Sequence, residues 1–243
     1  GTHAVGDSFH IIQRNEADIM LAGGAEYPVT PLGVAGFNAM RAISTRNDQP
    51  QKAPPPFAQT RDGFVIAEGS AILMLESMEH AMKRGARIYA EVVGFATNSD
   101  GSHVTRPEEE TMRIVMELAL ASAGLEPAAI GYVNGHGTAT EQGDIAETRA
   151  TSALFGPRMP LSSQKSYLGH TLGACGALES MFTIEMMRSG WFAPTVNLEN
   201  VDPRCGALDY ITGDGRELDV EIAMNNNFAF GGVNTSLVLR QAP

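Results

Sequence analysis

An α/β fold with strands covered on both faces is the architecture this chain's pattern argues for. Three observations carry it. Short apolar runs, several closing on glycine, alternate with stretches of helical period, and such alternation builds a sheet covered by helices. Runs such as residues 19–25 and 130–133 show no polar face, as expected of strands buried on both sides. The chain has 243 residues, 43% hydrophobic and 19% charged, which is enough to enclose a sizeable core.

Each element follows from its local pattern. Val5, Phe9 and Ile12 recur at intervals of three and four, which predicts a helix over residues 4–12. Residues 19–25 read as a buried strand closing on Gly23-Gly24-Ala25, and residues 34–43 as a short helix. Residues 48–60 form a polar loop carrying Pro54-Pro55-Pro56. It is too long for a simple connector, and long loops are often functional. Residues 64–75 are apolar but interrupted by Glu68-Gly69, which predicts two short strands. Residues 77–85 predict a helix with glycine at its end. Residues 88–97, rich in β-branched and aromatic side chains, predict a strand. Over residues 108–123, Met112, Val115, Met116, Ala119 and Leu120 share one helical face, closed by Gly124. A strand at 130–133 leads into a turn at His136, a helix covers 144–153, and a short strand at 160–163 leads to Lys165. A helix over 173–188 precedes Pro194, and strands at 222–228 and 235–239 flank Phe230-Gly231-Gly232. No internal repeat is present, and a soft boundary near residue 87 divides the chain into residues 1–87 and 88–243.

Composition removes several function classes. A net charge of −11 speaks against nucleic acid as a partner. A local basic patch, such as Arg41 with Arg46 or Lys83 with Arg84 and Arg87, could still meet an acidic partner, although charge runs usually just solvate a face. Two cysteines, Cys175 and Cys205, are too few for a disulfide framework and suit a reducing, cytoplasmic compartment. No apolar run approaches the roughly 20 residues that span a membrane. The chain opens on Gly1 with neither Met nor leader, so it is expected to begin inside a longer protein.

Two glycine-framed segments carry the chemistry: Asn134-Gly135-His136-Gly137-Thr138 and Lys165-Ser166-Tyr167-Leu168-Gly169-His170. Glycine marks sharp bends and close approach of backbone to ligand. His136 follows a strand, and α/β folds place sites at the C-terminal ends of strands. His170 precedes a helix, whose macrodipole disfavours the imidazolium. Two neutral imidazoles can donate to one developing oxyanion. Lys165 needs a counter-charge if buried, and Glu179, on the following helix, is the candidate. The bland alternative is an exposed pair of little worth. Ser162-Ser163-Gln164-Lys165 matches a serine–lysine signature, but no K-T-G follows. A zinc site would need a third ligand, for which only His103 offers itself, so no metal is expected. Cys175, within Gly173-Ala174-Cys175-Gly176-Ala177, suits a small residue at a tight helix start better than a nucleophile.

Five motifs in order resemble one family: Leu21-Ala22-Gly23-Gly24-Ala25-Glu26, Arg61-Asp62-Gly63-Phe64-Val65, Tyr132 through Thr140, Lys165 through His170, and Asn227-Phe228-Ala229-Phe230-Gly231-Gly232-Val233-Asn234. The chain is similar to the C-terminal part of the type II β-ketoacyl-acyl-carrier-protein synthases, in the thiolase superfamily. The resemblance implies a layered thiolase-like fold, with residues 1–87 ending the first half and 88–243 forming the second. It implies a Cys-His-His condensing enzyme of fatty-acid elongation, with polyketide synthesis or a non-catalytic chain-length-factor subunit as alternatives. His136 and His170 would be the catalytic histidines, and Lys165 and Glu179 their supporting pair. Thr138 and Thr140 would line the phosphopantetheine channel. Phe230 would be the gate and oxyanion residue, Phe228 would line the malonyl side, and Arg41 would meet acyl carrier protein. The nucleophilic cysteine would lie three positions before Gly1. No cofactor is implied beyond the carrier's phosphopantetheine, and a homodimer is. A type III synthase fits less well, since His170 stands where that group has Asn, and so does a thiolase, which would need a C-terminal cysteine turn that Cys205 does not sit in. Ala229 replaces the usual gate Gly, Cys175 an Ala, and Pro54-Pro55-Pro56-Phe57-Ala58 the usual Ser-Arg-Pro-Phe-Asp. These departures bear on substrate range more than on reaction type.

Overall fold

The computed structural model describes residues 1–53 and 55–242. Pro54 of the proline-rich loop therefore lies outside the described residues. The chain begins α1 (Thr2–Gln13), β1 (Ile19–Glu26), α2 (Pro31–Ala39), β2 (Gly69–Glu76), α3 (Met78–Lys83), β3 (Ala90–Ser99) and α4 (Glu109–Ala123). It continues β4 (Tyr132–Asn134), α5 (Glu141–Phe155), β5 (Pro160–Ser162), α6 (Lys165–Leu168) and α7 (Cys175–Ser189). It ends β6 (Trp191–Phe192), β7 (Asp209–Tyr210), β8 (Arg216–Glu217), β9 (Ile222–Ala229) and β10 (Val233–Gln241).

Six strands form one mixed sheet in the order β3-β10-β9-β4-β5-β7. β10 pairs antiparallel with β3 and β9, while β9, β4, β5 and β7 run parallel. β1 and β2 form a separate antiparallel pair, with Leu21 opposite Met74 and Gly23 opposite Ile72. Side-chain alternation along the six-stranded sheet separates two cores. Val238, Met224 and Val133 face α4 and α5, while Leu237, Leu239, Ala223 and Tyr132 face Val5 of α1 and Met186 of α7. Helices α1 and α7 also touch β1 and β2, so they form a central layer between the two sheets.

Helix α4 shows the patterning at its clearest. Its five predicted apolar positions are all buried, Glu109 and Glu110 sit in its first turn, and Gly124 closes it in the left-handed conformation at φ 65°. Acidic residues complement the positive helix N-terminus. Each fully buried Met, Val or Leu among them contributes roughly 1.5–3 kcal/mol.

Several expectations are corrected. β1 is a strand but not a buried one: of its residues only Ala22 is buried, and Leu21 is 73% exposed. The reason is that helices cover only one face of the β1–β2 pair. Residues 64–75 make one strand, not two. Phe64 exchanges backbone bonds with Ala42 and Ser44, and the next residues with His170, so neither partner continues into a ladder. The helix expected at 34–43 starts earlier and ends earlier, at Ala39: Thr30 caps it by accepting the Gly33 N–H at 3.1 Å, with Pro31 at the first position, and Arg41 at φ 54° lies past its end. Helix α7 is preceded by a 3₁₀ turn at Leu172–Ala174, and β6, β7 and β8 are two-residue strands without a readable period.

Candidate functional site

The turn after β4, the segment after β5 and the end of β9 converge on the N-terminal ends of α1 and α7. Between them lies a cavity of about 560 Å³, whose walls include Gly1, His136, His170, Cys175, Asn227 and Phe228. Arg41, Thr138, Thr140 and Phe230 also line it.

The His136 turn is held by carboxyl groups from the next helix. Glu147 accepts the His136 N–H at 2.5 Å and the Gly137 N–H at 2.7 Å. Asp144, one turn earlier on α5, accepts the N–H groups of Thr138 at 3.1 Å and Ala139 at 3.2 Å. Its other oxygen accepts the Phe57 N–H at 2.7 Å. These bonds hold Ala139 at φ 65°, a conformation that costs a non-glycine residue about 1–3 kcal/mol. Burial pushes the Glu147 carboxyl up to about 8 and Asp144 to about 6, opposed by these same backbone bonds. Arg61 reaches the turn from the other side. It donates to the Thr140 carbonyl at 3.2 Å and the Glu141 carbonyl at 2.9 Å, and pairs with buried Asp202 at 2.7 Å.

The His170 turn is held differently. Its N–H donates to the Val65 carbonyl at 2.7 Å, and its carbonyl accepts the Ala67 N–H at 3.0 Å. Gly169 stands at φ 68°, ψ −168°, a region open essentially to glycine alone. A Cβ there would lie 2.8 Å from the Val65 carbonyl oxygen. The Leu172 N–H donates to His170 Nδ1 at 3.2 Å. That nitrogen therefore accepts, and a neutral His170 carries its proton on Nε2. Phe64 packs edge-on against the ring, centroids 5.1 Å apart.

The two imidazoles meet edge to face with centroids 5.2 Å apart, and both are buried. Burial drives both pKa values well below the ordinary histidine value, and the nearby Lys165 charge adds to the effect. Both rings are thus neutral at pH 7. The cause differs from the helix-dipole argument made for His170: desolvation dominates. Lys165 forms an ion pair with Glu179, both side chains 1% exposed, so the pair is not a surface contact. Burial opposes the Lys165 charge most strongly, but the facing Glu179, together with Cys175 and Glu147, holds the Lys165 pKa above its ordinary value. Asn227 donates to the second Glu179 oxygen at 2.7 Å and lies 3.3 Å from His136 Nδ1.

The remaining expected residues reach the same cavity. The hydroxyls of Thr138 and Thr140 are 2.9 Å apart. Phe228 sits edge-on to His136 at 6.2 Å, and Phe230, 38% exposed, stacks on Phe37 at 6.1 Å. Arg41 lies at the cavity wall with φ 54°. Cys175 begins α7, buried, as its small-residue frame suggested. Exposed His103 lies at the same wall, and among the described residues no group of three or more His, Cys, Asp or Glu could hold a metal. Sequence reasoning missed Asp144 and Glu147. Their signal was available: two acids at i, i+3 on the helix that follows a glycine-framed histidine. It also gave Asn227 no role.

Comparison with known proteins agrees with this geometry. The model of the β-ketoacyl synthase N-terminal domain matches residues 1–81, and that of the C-terminal domain matches residues 89–199. The 3-oxoacyl-[acyl-carrier-protein] synthase 2 of Coxiella burnetii is 46% identical over 98% of this chain and 59% of its own length. The enzyme of the same name from Staphylococcus aureus is 43% identical over 99% of this chain and 60% of its own. A crystal structure of a β-ketoacyl synthase from Burkholderia phymatum superposes with a TM-score of 0.98 at 55% identity, covering all of this chain and 59% of that one. A type II polyketide ketosynthase in complex with its acyl-carrier protein superposes at 0.96 with 38% identity, covering all of this chain and 61% of that one. The chain thus spans about three fifths of the length of the relatives it matches. The thiolase-like α/β fold that the motifs implied is the fold it has. Adjoining domain models and end-to-end relatives agree with the convergence of four of the five motifs on one cavity, and the chain belongs to the β-ketoacyl synthase family.

Proposed function

We propose that this chain carries the decarboxylation half of a 3-oxoacyl-acyl-carrier-protein synthase site. The observation that carries the reading is the pair of buried, neutral imidazoles 5.2 Å apart at one cavity wall. The reaction is a decarboxylative Claisen condensation. Malonyl-carrier protein loses CO₂ as its carboxylate carbon–carbon bond breaks, and the electron pair becomes an enolate. His136 and His170 donate to the enolate oxygen where charge develops. The enolate carbon then attacks an acyl thioester held on a cysteine, which the resemblance places three positions before Gly1. The new carbon–carbon bond forms as the cysteine sulfur leaves, and the covalent intermediate splits one hard step into two.

In this reading Lys165 and Glu179 support the histidines, and Thr138 and Thr140 meet the phosphopantetheine arm. Phe230 gates the cavity and supplies an oxyanion N–H, and Phe228 shapes the malonyl side. Arg41 meets the acidic carrier protein, so an acidic chain binds an acidic partner through one local cation. No cofactor is needed beyond the carrier's phosphopantetheine. Residues 1–87 close the first half of the fold and 88–243 form the second. Exposed Leu21, Ile72 and Met74, on one face of the β1–β2 pair, suit cover by the rest of the first half. Homodimerisation and a cytoplasmic location complete the proposal. Among the described residues, no helix is long and apolar enough to cross a membrane. Fatty-acid elongation is favoured over polyketide assembly because the 3-oxoacyl synthase 2 relatives reach 46% identity, against 38% for the polyketide ketosynthase.

The test is CO₂ release from malonyl-carrier protein by the full-length protein and its His136→Ala and His170→Ala variants. Both variants are expected to lose release by about a hundredfold or more. Undiminished release in either would overturn the proposal.

A further inference from the structure

We infer that Asn227 is a positioning residue that fixes the tautomer of His136 and couples it to the Lys165–Glu179 pair. The inference deepens the condensing reading above and rests on it. Asn227 lies near the end of β9, 8% exposed, and lines the cavity. Its side chain touches four groups. The Thr2 hydroxyl, at the start of α1, donates to its carbonyl oxygen. Its amide nitrogen lies 2.7 Å from Glu179 Oε2, 3.3 Å from His136 Nδ1 and 3.6 Å from Cys175 Sγ.

These partners decide which way the amide points. An ionised carboxylate only accepts hydrogen bonds. Turning the amide over would set its oxygen against Glu179 and its nitrogen against Thr2. The –NH₂ group therefore faces Glu179. It has two hydrogens. One is taken by the short bond to Glu179. Of the remaining acceptors, the imidazole nitrogen is nearer and stronger than the weakly accepting thiol sulfur. His136 Nδ1 then accepts, so a neutral His136 carries its proton on Nε2. That makes it a donor of the same kind as His170, whose Nδ1 is occupied by the Leu172 N–H. The two histidines thus reach one protonation pattern by different means, a backbone N–H for His170 and a side-chain amide for His136. Lys165 is engaged with Glu179, and Asn227 links that pair to the ring. A wrong tautomer in an otherwise intact site can cost a large part of catalysis.

The experiment uses full-length protein labelled with ¹⁵N-histidine, with resonances assigned against His136→Asn and His170→Asn. Two variants are compared. Asn227→Asp keeps the shape and removes both donors, and Asn227→Ser keeps one hydroxyl donor. In the wild type, His136 is expected to show Nε2 protonated and Nδ1 bare. Asn227→Asp is expected to shift His136 toward Nδ1–H and lower kcat by about a hundredfold with KM little changed. Asn227→Ser is expected to recover most of that loss. A wild-type His136 protonated on Nδ1 would overturn the inference, as would an Asn227→Asp protein with wild-type tautomer and kcat. If Asn227→Asp does not fold, the wild-type spectrum and Asn227→Ser decide. A wild type that releases no CO₂ from malonyl-carrier protein, yet shows the expected tautomer, would sink the condensing reading and leave the assignment of the ring proton standing.

Discussion

The His136 and His170 turns look alike as sequence, each a histidine beside a glycine after a short strand, but different physics holds them. The His136 turn is clamped by side chains, with Asp144 and Glu147 on the helix that follows accepting its N–H groups and Arg61 donating to its Thr140 carbonyl. The His170 turn is clamped from a hundred residues away, by Val65 and Ala67. Each stores strain just past its histidine, at Ala139 with φ 65° and Leu172 with φ 44°. Strain of this kind persists only where surroundings over-determine the backbone. One turn thus depends on buried acidic side chains, and the other on backbone pairing and a glycine. Similar local motifs do not imply similar sensitivities.

Lys165 is the strongest lever because both turns share it. Lys165→Met leaves Glu179 buried without its cation, and breaking such a pair costs about 3–5 kcal/mol. Its charge also depresses both histidines, so both ring pKa values should rise together in an NMR titration. A loss below about 1 kcal/mol in urea denaturation, or a rise confined to one ring, would contradict the buried, shared pair.

Next come two substitutions that should separate the turns. Gly169→Ala is expected to cost about 1–3 kcal/mol and to loosen the His170 turn alone. Glu147→Gln sets an amide against a backbone N–H, is expected to cost about 1–3 kcal/mol, and should loosen the His136 turn alone. Amide hydrogen exchange at His136 and Gly137 against His170 and Leu172 reads the difference. Equal loosening of both turns by either variant would show that the site opens as one unit.

The smallest effect is a slope. Neutral buried histidines bind no proton in the native state, whereas unfolded ones bind below about pH 6.5. Their contribution to stability is full above that pH and declines as pH falls. Glu147, pushed up to about 8 by burial, has the opposite sign. Between its unfolded and native values the native state holds the extra proton, so acid favours folding. The two linkages oppose each other within one turn. Removing the carboxylate in Glu147→Gln should therefore steepen the acid-side loss between pH 6 and 5, by up to about 1.4 kcal/mol per pH unit. An unchanged slope in pH-dependent denaturation would place Glu147 outside that titration.

Much of this is legible in the sequence. The stripe on α4, its glycine cap and the strand leading to His136 follow from spacing alone, because a helix or a turn is set by residues a few positions apart. The five motifs and their order likewise pointed to one family without any packing information. What could not be read from the chain was which distant groups complete each turn. Val65 reaches His170, Arg61 reaches Asp202, and Asn227 joins Thr2, Glu179 and His136 across separations of 105, 141, 225, 48 and 91 residues. Burial of the Lys165–Glu179 pair and neutrality of the rings were equally out of reach, since desolvation depends on everything packed around a group. The same holds for β1, an apolar run that local pattern marks as buried and that folding covers on one face only. Periodicity says which side chains seek cover, and only the packed layers say which of them find it.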